Sequence, residues 1–212
     1  MQNRYNNKNN REININNLGT EERINKLRRV IEKRQNDITV VMENISDPHN
    51  ISACLRSCDA VGIMSVCLVY SEGQSFPAMG EASSASARKW VNQRKFRTIE
   101  ECYDALRSEG KKIYTTHLSK NSVSLYDLDL TQNIALVFGN EHSGVSNRAV
   151  ELADANFLIP QIGIIQSLNI SVACAVSVYE AFRQRQSKGV FNNPTLSTAE
   201  INTVLQNWLL KK

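Results

Sequence analysis

The spacing of apolar residues changes repeatedly along this chain, and each change marks an element. Ile24, Leu27 and Ile31 recur at three- and four-residue intervals, while Arg23, Lys26, Arg28, Arg29, Lys33 and Arg34 take the other positions. That period predicts an amphipathic helix with a basic face. A β-branched run at 38–42 reads as a strand, 50–60 as a helix and 63–70 as a second strand. Residues 98–108 look helical, 112–118 extended, and 134–138 form a wholly apolar run suited to a buried strand. A helix at 146–153, a last strand at 157–160 and a long helix at 170–185 follow. A short amphipathic helix after Ser197 contains Ile201, Leu205, Trp208 and Leu209. Strands alternating with helices predict an α/β domain whose mainly parallel sheet is flanked by helices.

Parallel sheets bind ligands beyond the carboxyl ends of their strands. Three polar or glycine-bearing segments stand at such ends, at 43–56, 139–146 and 159–171. The last holds Pro160 and Gly163, then Gln166, Ser167 and Asn169, directly before the long helix. Proline removes a backbone donor and glycine admits unusual angles, so this stretch reads as a bend able to wrap a small ligand.

Composition narrows the class. The 212 residues are 42% apolar, enough for one globular domain, and the net charge of +4 allows a polyanionic partner without requiring one. No apolar run approaches the roughly 18 residues that cross a bilayer, so no membrane association is expected. The asparagine-rich start predicts a disordered tail over residues 1–19 and does not look like a secretion signal. Five cysteines form no metal-binding spacing; Cys54 and Cys58 fall on one helix face as small buried hydrophobes. His49, His117 and His142 are scattered. No metal is expected, and the compartment reads as reducing cytoplasm.

Familiar motifs fail on inspection. No G-x-G-x-x-G follows the first strand. Gly139 to Gly144 has the glycine spacing of a phosphate loop, but Val145 and Ser146 stand where lysine and Ser/Thr are required. No G-x-S-x-G elbow occurs. What remains is a constellation: Asn50 and Arg56 after one strand end, Glu141 after another, Ser167 and Asn169 after the last. Amides and hydroxyls both donate and accept, and a guanidinium forks onto phosphate. Such a set works by positioning or through a reactive cofactor.

These segments also carry a resemblance. Residues 44–62, 136–146 and 159–171 resemble, in order and spacing, the three motifs of the SpoU/TrmH family of RNA 2′-O-ribose methyltransferases. The likeness runs from about Thr20 to the C-terminus. It implies a SPOUT fold with a deep C-terminal trefoil knot, a homodimer whose active site draws on both subunits, and S-adenosyl-L-methionine as methyl donor. Matching positions imply donor contacts at Thr116, Gly139, Ile159 and Leu168, and a catalytic set of Arg56, Asn50, Glu141, Ser167 and Asn169. Arg56 would orient the ribose hydroxyl and a phosphate. The features flanking the motifs resemble the branch that methylates guanosine 18 in the D loop of tRNA; the alternatives are the same chemistry at another tRNA position or on rRNA, and a non-catalytic knotted RNA-binding protein. His142 and Gln161 depart from residues common in the wider family and leave the catalytic set untouched. Arg23, Lys26, Arg34, His49, Arg183 and Arg185 would grip the RNA, and Trp90 and Trp208 read as core or dimer contacts. The expected organisation is a tail at 1–19, a basic helix at 20–36, a knotted methyltransferase domain at 37–188 and a helical extension at 189–212.

Overall fold

A computed structural model describes residues 18–71, 73–76, 87–119, 121–165 and 167–211. The expected tail over 1–19 therefore lies almost wholly outside the described residues, as does Gln166. The chain opens on α1 (Glu21–Ile31), capped by the Thr20 hydroxyl, with Glu21 and Glu22 in its first turn and Arg28 and Arg29 in its last. Both charge placements suit the helix dipole. The helix ends before residue 36, because Gln35 already begins β1 (Gln35–Glu43).

Then come α2 (Pro48–Ala60), β2 (Ile63–Val69), a single turn α3 (Ala87–Trp90), β3 (Asn92–Phe96), α4 (Ile99–Ser108) and β4 (Lys112–Thr116). A two-residue β5 (Val123–Ser124), β6 (Ile134–Phe138), α5 (Asn147–Leu152), β7 (Ala155–Leu158), α6 (Ile170–Ser187) and α7 (Thr198–Leu209) complete it. The strands form one sheet in the order β3-β2-β1-β6-β4-β7-β5, with every pairing parallel. The expected α/β class holds.

Alternation along the central strands builds two cores. Val40, Met42, Leu136 and Phe138 point to the face covered by α2 and α6. Val41, Ala135 and Val137 point to the face covered by α4 and α5. A third cluster joins the two ends of the described chain: Ile24 and Ile31 of α1 pack with Ile201, Leu205, Trp208 and Leu209 of α7, and with Trp90. Trp90 and Trp208 are thus core residues, as expected. All five cysteines are buried and free.

Two expected phosphate ligands belong to the interior. Arg185 is completely buried; it donates to Asp37 Oδ1 at 2.6 Å, Gln35 Oε1 at 3.0 Å and the Leu130 carbonyl at 2.9 Å. Arg34 is 2% exposed, paired with Asp59, and stacked over Trp208 at 5.1 Å. Neither guanidinium faces solvent, so both were misassigned as RNA contacts. Each is instead a structural tie whose buried charge is neutralised by a carboxylate distant in sequence.

Candidate active site

Loops leaving β4, β6 and β7, three adjacent strands, enclose a cleft of 350 Å³. Thr116, Gly139, Ile159 and Leu168, the four positions expected to touch the methyl donor, all line it, as do Glu141 and Ser167. Thr116 is fixed by donating from its hydroxyl to the Val137 carbonyl at 2.9 Å. Gly139 has no room for a side chain: a Cβ would come within 2.2 Å of the Gly144 carbonyl carbon and the Val145 nitrogen. Asn140 and Gly144 exchange backbone hydrogen bonds at 2.9 Å, which closes the 139–144 loop tightly, and Gly144 takes the left-handed φ of 68° that this closure needs. The cleft is walled by a mixture of apolar residues, among them Leu118, Phe138, Phe157 and Ile159, and polar ones, among them His117, Asn140 and Gln161.

At its mouth the polar residues form a chain of hydrogen bonds. Asn169 caps α6 by accepting from the Ser171 amide at 2.8 Å. Its Nδ2 donates to Asn50 Oδ1 at 3.2 Å. Asn50, in the first turn of α2, donates to Glu141 Oε1 at 2.8 Å. Glu141 Oε2 accepts from the Ser46 hydroxyl at 2.9 Å and the Ser46 amide at 3.3 Å. Partial burial alone would raise the Glu141 carboxyl. The donors from Asn50 and Ser46 prevail and hold it at about 2. Glu141 is therefore ionised at neutral pH and acts as an acceptor, with its lone pairs largely engaged.

Asn50, Glu141 and Asn169 thus meet although up to 119 positions separate them. Arg56, further along α2 from Asn50, is exposed and, like Asn50 and Asn169, is not among the residues lining the cleft. Of the expected RNA contacts, Arg23, Lys26 and His49 are exposed, and Arg183 is exposed while paired with Glu180 at 2.7 Å. Among the described residues no group of three His, Cys, Asp or Glu is placed to hold a metal ion.

The sequence reading passed over three residues here. Ser46 holds Glu141 directly. Asn140 donates to the Asn44 carbonyl at 2.7 Å and to Ser46 Oγ at 3.2 Å, tying the β1 and β6 loops together. Glu43, 4% exposed, binds the Ser146 amide and hydroxyl at 2.8 and 2.7 Å and so fixes the start of α5. The signal for Glu43 was available: a carboxylate ending the apolar run Val40-Val41-Met42 needs a partner once buried.

A model of the SpoU rRNA Methylase family matches residues 37–179. The chain is 40% identical over 191 residues to a tRNA (guanosine(18)-2′-O)-methyltransferase from Aquifex aeolicus, covering 90% of each chain. The solved structure of the A. aeolicus TrmH/SpoU tRNA modifying enzyme superposes with a TM-score of 0.83 at 40% identity, covering 89% of this chain and 95% of that one. An AdoMet-bound rRNA methyltransferase from Sinorhizobium meliloti superposes with a TM-score of 0.63 at 27% identity, covering 74% of this chain and 59% of that one.

Proposed function

The chain belongs to the SpoU rRNA methylase family, and from that membership we infer that it transfers a methyl group from S-adenosyl-L-methionine to the 2′-hydroxyl of guanosine 18 in tRNA. The observation that carries this reading is the convergence, in one cleft mouth, of Asn50, Glu141 and Asn169 from three separate strand-end segments. Relatives named for that reaction match nearly the whole chain.

The residues of the cleft fit the donor. Gly139 lets the 139–144 loop close against its own backbone, and Thr116, Ile159 and Leu168 supply a mixed apolar and polar wall of suitable size. When bound, the donor supplies an electrophilic methyl group on a good sulfonium leaving group. The protein's task is to bring the ribose hydroxyl into line with it. Ionised Glu141 fixes Asn50 through one carboxylate oxygen, and Asn169 fixes it from the other side, so the Asn50 amide is held in one orientation at the mouth. Ser167, exposed at the rim, hydrogen-bonds the incoming ribose. Arg56 binds and orients the target phosphate and hydroxyl; a guanidinium keeps its charge near neutral pH and does not act as a base.

The active unit of this reading is a homodimer whose site draws on both subunits. An apolar face supports this. Ile162, Ile164 and Ile165 are 107, 100 and 72% exposed, and Val172 and Tyr179 continue the face along α6. A patch of this kind on one chain marks a protein interface. The family's trefoil knot belongs to the same reading: the three cleft-lining loops leave the neighbouring strands β6, β4 and β7. No described helix is long and apolar enough to cross a membrane, and the proposed place of action is the cytoplasm. The test is incubation of the purified protein with unmodified tRNA and methyl-labelled donor. Label on one guanosine ribose per tRNA is expected; no label on tRNA refutes the reading.

A further inference from the structure

The strand order β2-β1-β6 sets three loops side by side at the carboxyl ends of the sheet, next to the donor cleft. They enclose a second recess of 390 Å³, within the roughly 300–1,000 Å³ of small-ligand sites. Asn140 lines both cavities, so the recess shares a wall with the donor cleft. Ser46, whose hydroxyl donates to Glu141, lines the recess too. On the β2 side stand Gln74 and Ser75. None of the described residues lining the recess carries a charge; its amides and hydroxyls stand with Pro48 and Tyr70. Such a lining offers a phosphate no counter-charge and fits a neutral heterocycle with donors and acceptors on its edge.

The recess is firmly built. Asn44 takes a left-handed φ of 53°, accepting from the Ser71 amide through its side chain at 3.2 Å and from Asn140 through its carbonyl at 2.7 Å. Tyr70, 3% exposed, donates to the Ile45 carbonyl at 2.7 Å and forms a floor. Beside Ser75, the Phe76 ring meets Tyr70 at 5.2 Å and carries Arg97 over its face at 4.6 Å. Arg97 also donates to the Gln74 carbonyl at 3.0 Å. Gln74 is thus fixed through its main chain, while its side chain and that of Ser75 are exposed at the recess.

We propose that this recess takes the base of the target nucleotide, with the Gln74 amide and the Ser75 hydroxyl reading its edge. The proposal rests on the reading that a guanosine ribose in RNA is methylated. A ribose whose 2′-hydroxyl faces the donor cleft carries its base one sugar ring away, and the cavity on the other side of Asn140 is this recess. A base that has left its stack is read through its Watson–Crick edge. Guanine presents one acceptor and two donors there, whereas adenine presents one of each. The glutamine amide both donates and accepts, and a serine hydroxyl does either, so guanine gains one hydrogen bond over adenine.

The test compares wild type with a Gln74→Ala/Ser75→Ala double variant on tRNA transcripts carrying guanosine or adenosine at position 18. Calorimetry measures donor binding. In a separate titration, free guanosine or adenosine is added to the donor-saturated wild type and the Gln74 side-chain amide is followed by NMR. The double variant should lose on the order of tenfold in kcat/KM on the guanosine transcript, and its preference for guanosine should narrow by a similar factor. Donor affinity stays as in wild type. Guanosine should shift the Gln74 amide at lower concentration than adenosine does. Unchanged selectivity in the double variant overturns the proposal, whether or not the overall rate falls. So does a Gln74 amide that guanosine leaves unmoved, or that both nucleosides shift alike. If wild type labels neither transcript, the substrate assignment falls, and the recess is judged on the nucleoside titration alone.

Discussion

Glu141 shows how a single residue is set by its neighbours. Its carboxyl, held at about 2, is depressed relative to an ordinary glutamate. Its stabilising contribution is therefore complete above the ordinary carboxylate range and lost as pH falls through about 2. The wild type should accordingly show no activity limb from this group between about pH 5 and 8. Ser46→Ala removes the hydroxyl donor and should move the Glu141 titration upward; carboxyl NMR across an acid titration reads the shift, and an unmoved titration would deny Ser46 its role. At this scale the sequence marked Asn50, Glu141 and Asn169 as polar residues at strand ends, and the fold brings the three together. The sequence was misleading for Arg34 and Arg185. A cation in a basic run looks solvated, and only the fold brings Asp59 and Asp37 to them.

Elements carry the next constraints, and α6 has one at each end. Asn169 both caps this helix and donates to Asn50. Asn169→Asp keeps the acceptor, and aspartate caps about as well as asparagine, but it cannot donate. Thermal stability should hold within about 0.5 kcal/mol while kcat falls on the order of tenfold, about 1.4 kcal/mol in barrier. Equal losses of stability and rate would mean that the cap alone mattered. At the far end Arg185 ties the helix to β1 and to the segment before β6. Arg185→Leu leaves Gln35 and the Leu130 carbonyl without their buried donor and should cost about 1–3 kcal/mol in urea unfolding. A stable Arg185→Leu protein with a reduced salt slope for tRNA would restore it as an RNA contact. Element positions were largely readable because the apolar period switches cleanly between 2 and 3.6. β3 was missed: Asn92-Gln-Arg-Lys-Phe is a half-exposed edge strand without an apolar run, and its pairing with β2 comes from the main chain.

For the whole molecule, the proposed unit is two chains that meet through the exposed apolar face of Ile162, Ile164 and Ile165 and share the site beside the donor cleft. Ile164→Asp places charge in that face and should shift sedimentation from dimer to monomer, with activity lost in parallel. A fully active monomer would refute a shared site. The β4, β6 and β7 loops meet because the sheet order makes neighbours of strands distant in sequence. Local pattern could not disclose that order, so the convergence came from motif resemblance and then from the fold. The central claim, methyl transfer to the 2′-hydroxyl of guanosine 18, has a direct test. Purified protein is given methyl-labelled donor and either unmodified tRNA or the same tRNA carrying 2′-deoxyguanosine at position 18. Label should enter the first and be absent from the second; equal labelling of both would contradict the account.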